Sequence, residues 1–203
     1  MAYSIPEILG MVTDTIVAIA GLLGIFGLWQ WRHELIGKRK FEVASRLMML
    51  ALQFRDQFRF VRNPGTWANE TLERQKATDE TPQESQLRDE YFARMKRVQN
   101  LQPLLQQLLH ASWEAETFLG DDDAKLVVPF EQSFNHLYQS VIVYFEDQLR
   151  LLSSSNTQSV LPGPMTRELL YTNIYGSREN DELGADIDGA VTSLKTKLRK
   201  YLK

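Results

Sequence analysis

The chain has 203 residues, a net charge of −3, 43% hydrophobic and 24% charged residues, and no cysteine. These are globular values with room for one domain besides a short accessory segment. The missing cysteine excludes disulfides, thiolate metal sites and cysteine nucleophiles. Charge is laid out unevenly. Residues 1–31 hold two acids and no Lys or Arg, residues 32–62 hold eight basic side chains against three acids, and residues 63–203 hold 15 basic against 21 acidic. So acidic a C-terminal part is a poor nonspecific binder of nucleic acid, and no nucleic-acid partner is expected.

After a short tail (1–7), the run Ile8 to Trp31 is 24 residues long with one acid, Asp14. A helix rises about 1.5 Å per residue, so this length suffices for a hydrocarbon core of roughly 30 Å. The expectation is one transmembrane helix over 8–31. Two other readings compete. Ala18-Ile19-Ala20 resembles a signal-peptide cleavage site, but Glu7 and Asp14 precede it without any Lys or Arg, and the apolar run continues beyond it. A buried core helix is the other, because Asp14 shortens the uncharged run. The flanks favour the span: Trp29 and Trp31 suit a membrane–water interface, and Arg32, Lys38, Arg39 and Lys40 follow. The positive-inside rule then places the N-terminus outside and the remainder in the cytoplasm, anchored in the cell (inner) membrane. Residues 32–40 form a basic juxtamembrane segment whose simplest partner is the anionic headgroups of the bilayer.

Residues 41–203 read as a cytoplasmic helical bundle. From Phe41 to Arg62, Ala44, Met48, Ala51, Phe54, Phe58 and Val61 fall on one helical stripe. This helix is expected to continue the span, with Gly37 as a weak point and Asn63-Pro64-Gly65 as its stop. Residues 66–82 read as a polar loop. A second helix is expected from Gln83 to Leu119, with Leu87, Tyr91, Val98, Leu101, Leu105 and Leu108 inward and a kink or restart at Pro103. Gly120 ends it. A third helix follows Asp121-Asp122-Asp123 and runs to Leu152, with Phe130, Phe134, Leu137, Val141, Phe145 and Leu149 inward. Ser153 to Pro164 reads as a connector and Met165 to Tyr175 as one or two turns. A last helix begins near Asn180 and buries Leu183, Ile187, Val191, Leu194, Leu198 and Tyr201. Its acidic start and basic end match the helix dipole. No strand pattern or repeat is visible. The fold class is therefore all-α: a single N-terminal transmembrane helix continuing into an up-and-down bundle of about four long helices.

The span entering Trp31-Arg32, the helix end Val61-Arg62-Asn63-Pro64, and Asp181-Glu182-Leu183-Gly184 ahead of a final amphipathic helix together resemble a type of small bacterial single-span, membrane-anchored helical protein. The resemblance covers the whole chain. It implies a membrane location and supplies no catalytic residue and no substrate.

Chemical motifs are sparse. His110 and His136 would meet only between antiparallel helices, where Glu114 or Glu131 would have to complete a metal site, and neither histidine belongs to a Glu-x-x-His pair. Asp121-Asp122-Asp123 lacks the order of an EF-hand loop and reads as acids at a helix start. Phosphate-binding, nucleophile-elbow and dinucleotide fingerprints are all missing. The sequence thus implies no catalytic residue, no metal and no cofactor. In the span, Gly10, Asp14, Gly21 and Gly24 share one face, where small residues permit close helix approach and a lone acid prefers protein or water to lipid. The alternative is that Asp14 sits in water at the outer interface.

These readings lead to a membrane-anchored helical interaction or scaffold protein that presents a cytoplasmic bundle to a protein partner, or self-associates through the span. The second expectation is an oligomeric effector or channel that uses the Gly/Asp14 face.

Overall fold

The computed structural model describes residues 5–153, 161–176 and 181–202, and of residues 5–16, 18 and 68 only the backbone. The described residues form helices joined by turns and loops, with no strand. The helices are α1 (Ile5–Val61), α2 (Pro82–Leu119), a single turn α3 (Asp121–Ala124), α4 (Val128–Ser153), α5 (Arg167–Tyr175) and α6 (Glu182–Leu198). Short 3-10 turns cover Ala68–Glu70 and Lys125–Val127. The chain divides into two units, Met1–Glu42 and Val43–Lys203.

In the first unit α1 passes Gly37 without a break. Its side chains from Leu22 to Trp31 are exposed, the apolar ones included. Among the described residues no helix is long and apolar enough to cross a membrane. The transmembrane helix expected over 8–31 is therefore not supported among the described residues.

The second unit is an up-and-down bundle. Its strand-like alternative never arises because each long segment repeats its apolar residues every three or four positions, which leaves one face to bury. Antiparallel and parallel neighbours follow from specific contacts. Arg46 meets Glu114 near the start of this unit's share of α1, while Arg94 reaches the backbone beyond its end, so α1 and α2 run antiparallel. Tyr91 stacks on Phe145 with ring centroids 5.3 Å apart, which sets α2 against α4 in the same way. Arg59 pairs with Asp188 and Arg62 with Asp181, so α6 runs back along α1. The core joins Leu47, Ala51, Phe54 and Phe58 of α1 to Val98, Leu101, Leu105 and Leu108 of α2, Phe130, Leu137, Val141 and Phe145 of α4, and Leu183, Ile187, Val191, Leu194 and Leu198 of α6. Phe54 and Phe130 meet edge to face at 5.5 Å, a favoured aromatic geometry.

Local chemistry sets the boundaries. Thr81 and Glu84 form a reciprocal cap on α2, with Pro82 in its first turn. Pro103 lies inside α2 and does not end it, contrary to the restart considered from sequence. The third segment is broken where one helix was expected: α3 and the 3-10 turn precede α4. The short segment 165–175 is a true helix, α5, capped by Thr166. The connector residues 154–160 lie outside the described residues.

Candidate functional site

Polar side chains of the second unit gather at the end of the bundle where α1 stops. A helix end leaves its last carbonyls without intrahelical donors. At and just past Val61 two buried arginines of α2 supply donors to the chain's carbonyls. Arg94, 1% exposed, donates from Nη2 to the Pro64 carbonyl at 2.6 Å and from Nη1 to those of Val61 and Asn63. Arg97 donates to the carbonyls of Asn63 at 2.9 Å and Gly65 at 2.6 Å. It also forks onto both oxygens of Glu70 at 2.6 Å. Its guanidinium lies over the rings of Trp67 and Phe60, themselves stacked at 5.5 Å. The Arg97 hydrogen bond holds the Glu70 carboxyl below its ordinary range.

Arg62, the first residue past α1, does the reverse. Its Nε and Nη2 donate to the Asn173 and Thr172 carbonyls at the end of α5, each at 2.9 Å. The same guanidinium grips Asp181 at 2.5 and 3.0 Å. Asp181 in turn caps α6, accepting the Gly184 N–H at 3.0 Å. A Cβ at position 184 would lie 2.3 Å from Asp181 Oδ2, so any larger residue there displaces that carboxylate. Gly176, between α5 and Asp181, has φ +73°, a left-handed backbone that favours glycine. Arg62 therefore ties three helix ends together, and the sequence pieces 61–64 and 181–184 form one contact.

Arg94 also lies over the Tyr175 ring at 4.7 Å, and the Tyr175 hydroxyl donates to Glu90 at 2.6 Å. Burial, with the Glu90 hydrogen bond, pushes the Tyr175 phenol well up, so it stays a donor. Burial pushes the Arg94 guanidinium down, yet arginine keeps its charge in proteins. Among the described residues only Arg94 Nε is a buried side-chain donor without a partner. The guanidinium donors are otherwise spent on the chain's own carbonyls and carboxylates. The cluster can lock helix ends; it presents no paired nucleophile and base.

A second polar knot organises the loop 66–82. Arg74 bonds both oxygens of Glu80 at 2.8 Å and also pairs with Asp89, which Lys76 shares. The Arg74 hydrogen bonds hold the Glu80 carboxyl at about 2. A third knot fastens the C-terminus: Asp123, 3% exposed, accepts from the Tyr201 hydroxyl at 3.1 Å and pairs with Lys200 at 3.2 Å. The acidic triplet thus supplies a buried anchor besides a helix start. Between α4 and α6 an open cleft of about 400 Å³ is edged by Lys125, Gln132, His136, Asp186 and Ser193 above Ala190.

The residues singled out by sequence fall elsewhere. Gly10 and Asp14 lie among the residues whose side chains are outside the description. Gly21 and Gly24 have open space where a Cβ would be. Lys38 pairs with Glu34 at 2.8 Å and Arg39 with Glu42 at 3.3 Å, both within the first unit, so part of the basic segment's charge is locally met. Lys40 is half-buried, and Arg32 is exposed. His110 is exposed with its ring 4.9 Å from that of Trp113, and His136 edges the α4–α6 cleft. Among the described residues no group of three His, Asp or Glu side chains could hold a metal ion.

Sequence reasoning missed the buried arginines, but a signal existed. The stripe of α2 steps from Tyr91 to Val98, and the inward position between them is Arg94. No family model, no curated protein and no solved structure matches this chain.

Proposed function

We propose that this is a membrane-anchored helical interaction protein, with residues 8–31 as a single span and the bundle on the cytoplasmic side, presented to a protein partner. The observation that carries the reading is the first unit's apolar surface. Val17, Leu22, Leu23, Ile25, Leu28 and Trp31 are each more than half exposed. They point around the whole helix rather than along one stripe. A helix apolar on all sides requires an apolar surrounding. The 24-residue run with one acid, and the basic residues after it, support lipid as that surrounding. On this reading Arg32, Lys38, Arg39 and Lys40 meet anionic headgroups.

Association through the span is part of the proposal. The open space beside Gly21 and Gly24 leaves a shallow groove into which a second helix backbone would fit, on the face that carries Gly10 and Asp14 in the sequence. If several copies close a ring there, the protein is an oligomeric effector or channel with Asp14 facing the path; if one partner helix docks, it is a tether. Alkaline carbonate extraction of native membranes tests the anchor, and release of the protein into the soluble fraction would refute it. Crosslinking in the same membranes separates the ring from the tether, since only the channel requires a closed series of copies.

A further inference from the structure

We infer that the basic end of α6 is a docking surface for anionic phospholipid headgroups. The second unit has two ends, and this one is opposite the arginine lock. It is marked by Arg46 with Glu114, by the end of α2 at Leu119, whose carbonyl accepts the Tyr201 hydroxyl, and by Asp123 with Lys200. Val43, the first residue of the unit, belongs to the same end, one turn before Arg46.

Cations at this end fall into two groups. Arg46 and Lys200 are paired with acids. Lys195, Lys197 and Arg199 are exposed, and among the described residues none has an ion-pair partner. The helix dipole favours cations at a C-terminus, but it does not explain the shape beside them. Among the described residues, Lys195 and Arg199, one turn apart, stand with Thr196 and Leu202 around a cleft of about 540 Å³. Unpaired basic groups at the rim of a partly apolar recess complement a phosphate headgroup above the start of its acyl chains. Asp121, Asp122 and Glu116 are also exposed at this end; none of them lines the cleft.

The choice of lipid over other anions rests on the anchored reading, through one covalent fact: only Phe41 and Glu42 separate the basic segment 32–40 from Val43. If that segment lies at headgroups, this end of the bundle is tethered close to the same surface, and a weak basic site there works at high local lipid concentration.

The test uses the full chain. It holds no cysteine, so Thr196→Cys gives a single labelling position for an environment-sensitive fluorophore. The labelled protein is mixed with vesicles of phosphatidylcholine alone or of equimolar phosphatidylcholine and phosphatidylserine, each with a headgroup-attached quencher. Quenching above the phosphatidylcholine level in the mixed vesicles, lost on adding salt and lost in Lys195→Gln/Arg199→Gln, is the expected result. Equal quenching in both vesicles overturns the inference. So does a signal that follows protein concentration and ignores phosphatidylserine, which would report a second copy's acidic residues on this surface. Carbonate resistance of the same samples reports the anchor separately. A resistant protein without phosphatidylserine-dependent quenching refutes the docking surface alone, and an extractable protein with it refutes the anchor alone.

Discussion

The two ends of the bundle treat arginine and lysine in opposite ways. Where α1 stops, Arg62, Arg94 and Arg97 are buried and their donors, Arg94 Nε excepted, go to carbonyls and carboxylates of the chain itself. Where α6 stops, Lys195, Lys197 and Arg199 are exposed and turned outward. Buried charge is costly unless every donor is met, so a cluster such as the first specifies one arrangement of helix ends. Exposed charge adds little to folding and is left for something outside the chain. The same side-chain chemistry therefore serves architecture at one end and recognition at the other.

The comparison breaks first at Arg94. Its removal takes the donor from the Pro64 carbonyl and one of two donors from the Asn63 carbonyl, and also strips the buried guanidinium from the Tyr175 ring. We expect Arg94→Met to destabilise the bundle by about 3 kcal/mol, the cost of leaving buried polar groups unmet. Arg94→Lys should recover little of it, because an ammonium cannot reproduce the planar fork. Denaturant unfolding followed by helical circular dichroism measures both. Undiminished stability of Arg94→Met would mean that water reaches those carbonyls.

The next effect in size concerns Asp181. Gly184→Ala places a methyl group against the Asp181 carboxylate, which must leave either its cap or Arg62. A lost cap alone costs about 1 kcal/mol, and a weakened, nearly buried ion pair adds to it, so about 2 kcal/mol is expected. In Asp181→Asn the added Gly184→Ala should cost less, because the contact it disrupts is already impaired. Strict additivity in this double-mutant cycle would show that the two positions act independently.

These two predictions mark what could be read from the sequence. The bundle was legible because Leu, Phe and Val recur at helical spacing in α1, α2, α4 and α6, and burial of an apolar stripe depends on periodicity alone. The lock was illegible as a site, although its pieces, 61–64 and 181–184, stood out as motifs. Periodicity treats an arginine in an apolar stripe as an interruption. Only the approach of the α1 end, more than 30 residues away from Arg94 in the chain, turns that interruption into a cap. Asp123 likewise reads from the sequence only as an acid at a helix start, because its partner Tyr201 lies 78 residues on. The loop 66–82 was read as plain polar chain because nothing in its order of residues shows that Arg74, Glu80 and Asp89 converge.

That loop gives a pH test of buried against exposed charge. Glu80 is held at about 2 by Arg74, and Glu70 is lowered by Arg97. A carboxylate whose folded pKa lies below its unfolded value stabilises the fold fully above the unfolded value, near 4.3, and loses that contribution as pH falls toward the folded one. The ties of residues 66–82 should therefore loosen between about pH 4.5 and 2. Trp67, stacked on Phe60 beneath Arg97, reports this as a fluorescence change, isolated by subtracting the spectrum of Trp67→Phe. A Trp67 signal that changes around neutral pH and stays flat in acid would contradict the assignment.

The smallest effect is expected at the open end, and its smallness is the content of the prediction. Lys195 and Arg199 touch no acid among the described residues, so replacing them breaks no ion pair. What they give to folding is the favourable position of a cation near a helix C-terminus, about 0.5 kcal/mol each and screened by salt. The double variant Lys195→Gln/Arg199→Gln should then unfold within about 1 kcal/mol of the parent, and the gap should shrink further in high salt. Arg94→Met, by contrast, should keep its deficit in salt, because desolvated groups are screened far less. Denaturation of both variants at low and high ionic strength makes the comparison directly. A large, salt-insensitive loss in the α6 variant would place Lys195 or Arg199 in the architecture of the bundle, and the division of labour between the two ends would fail.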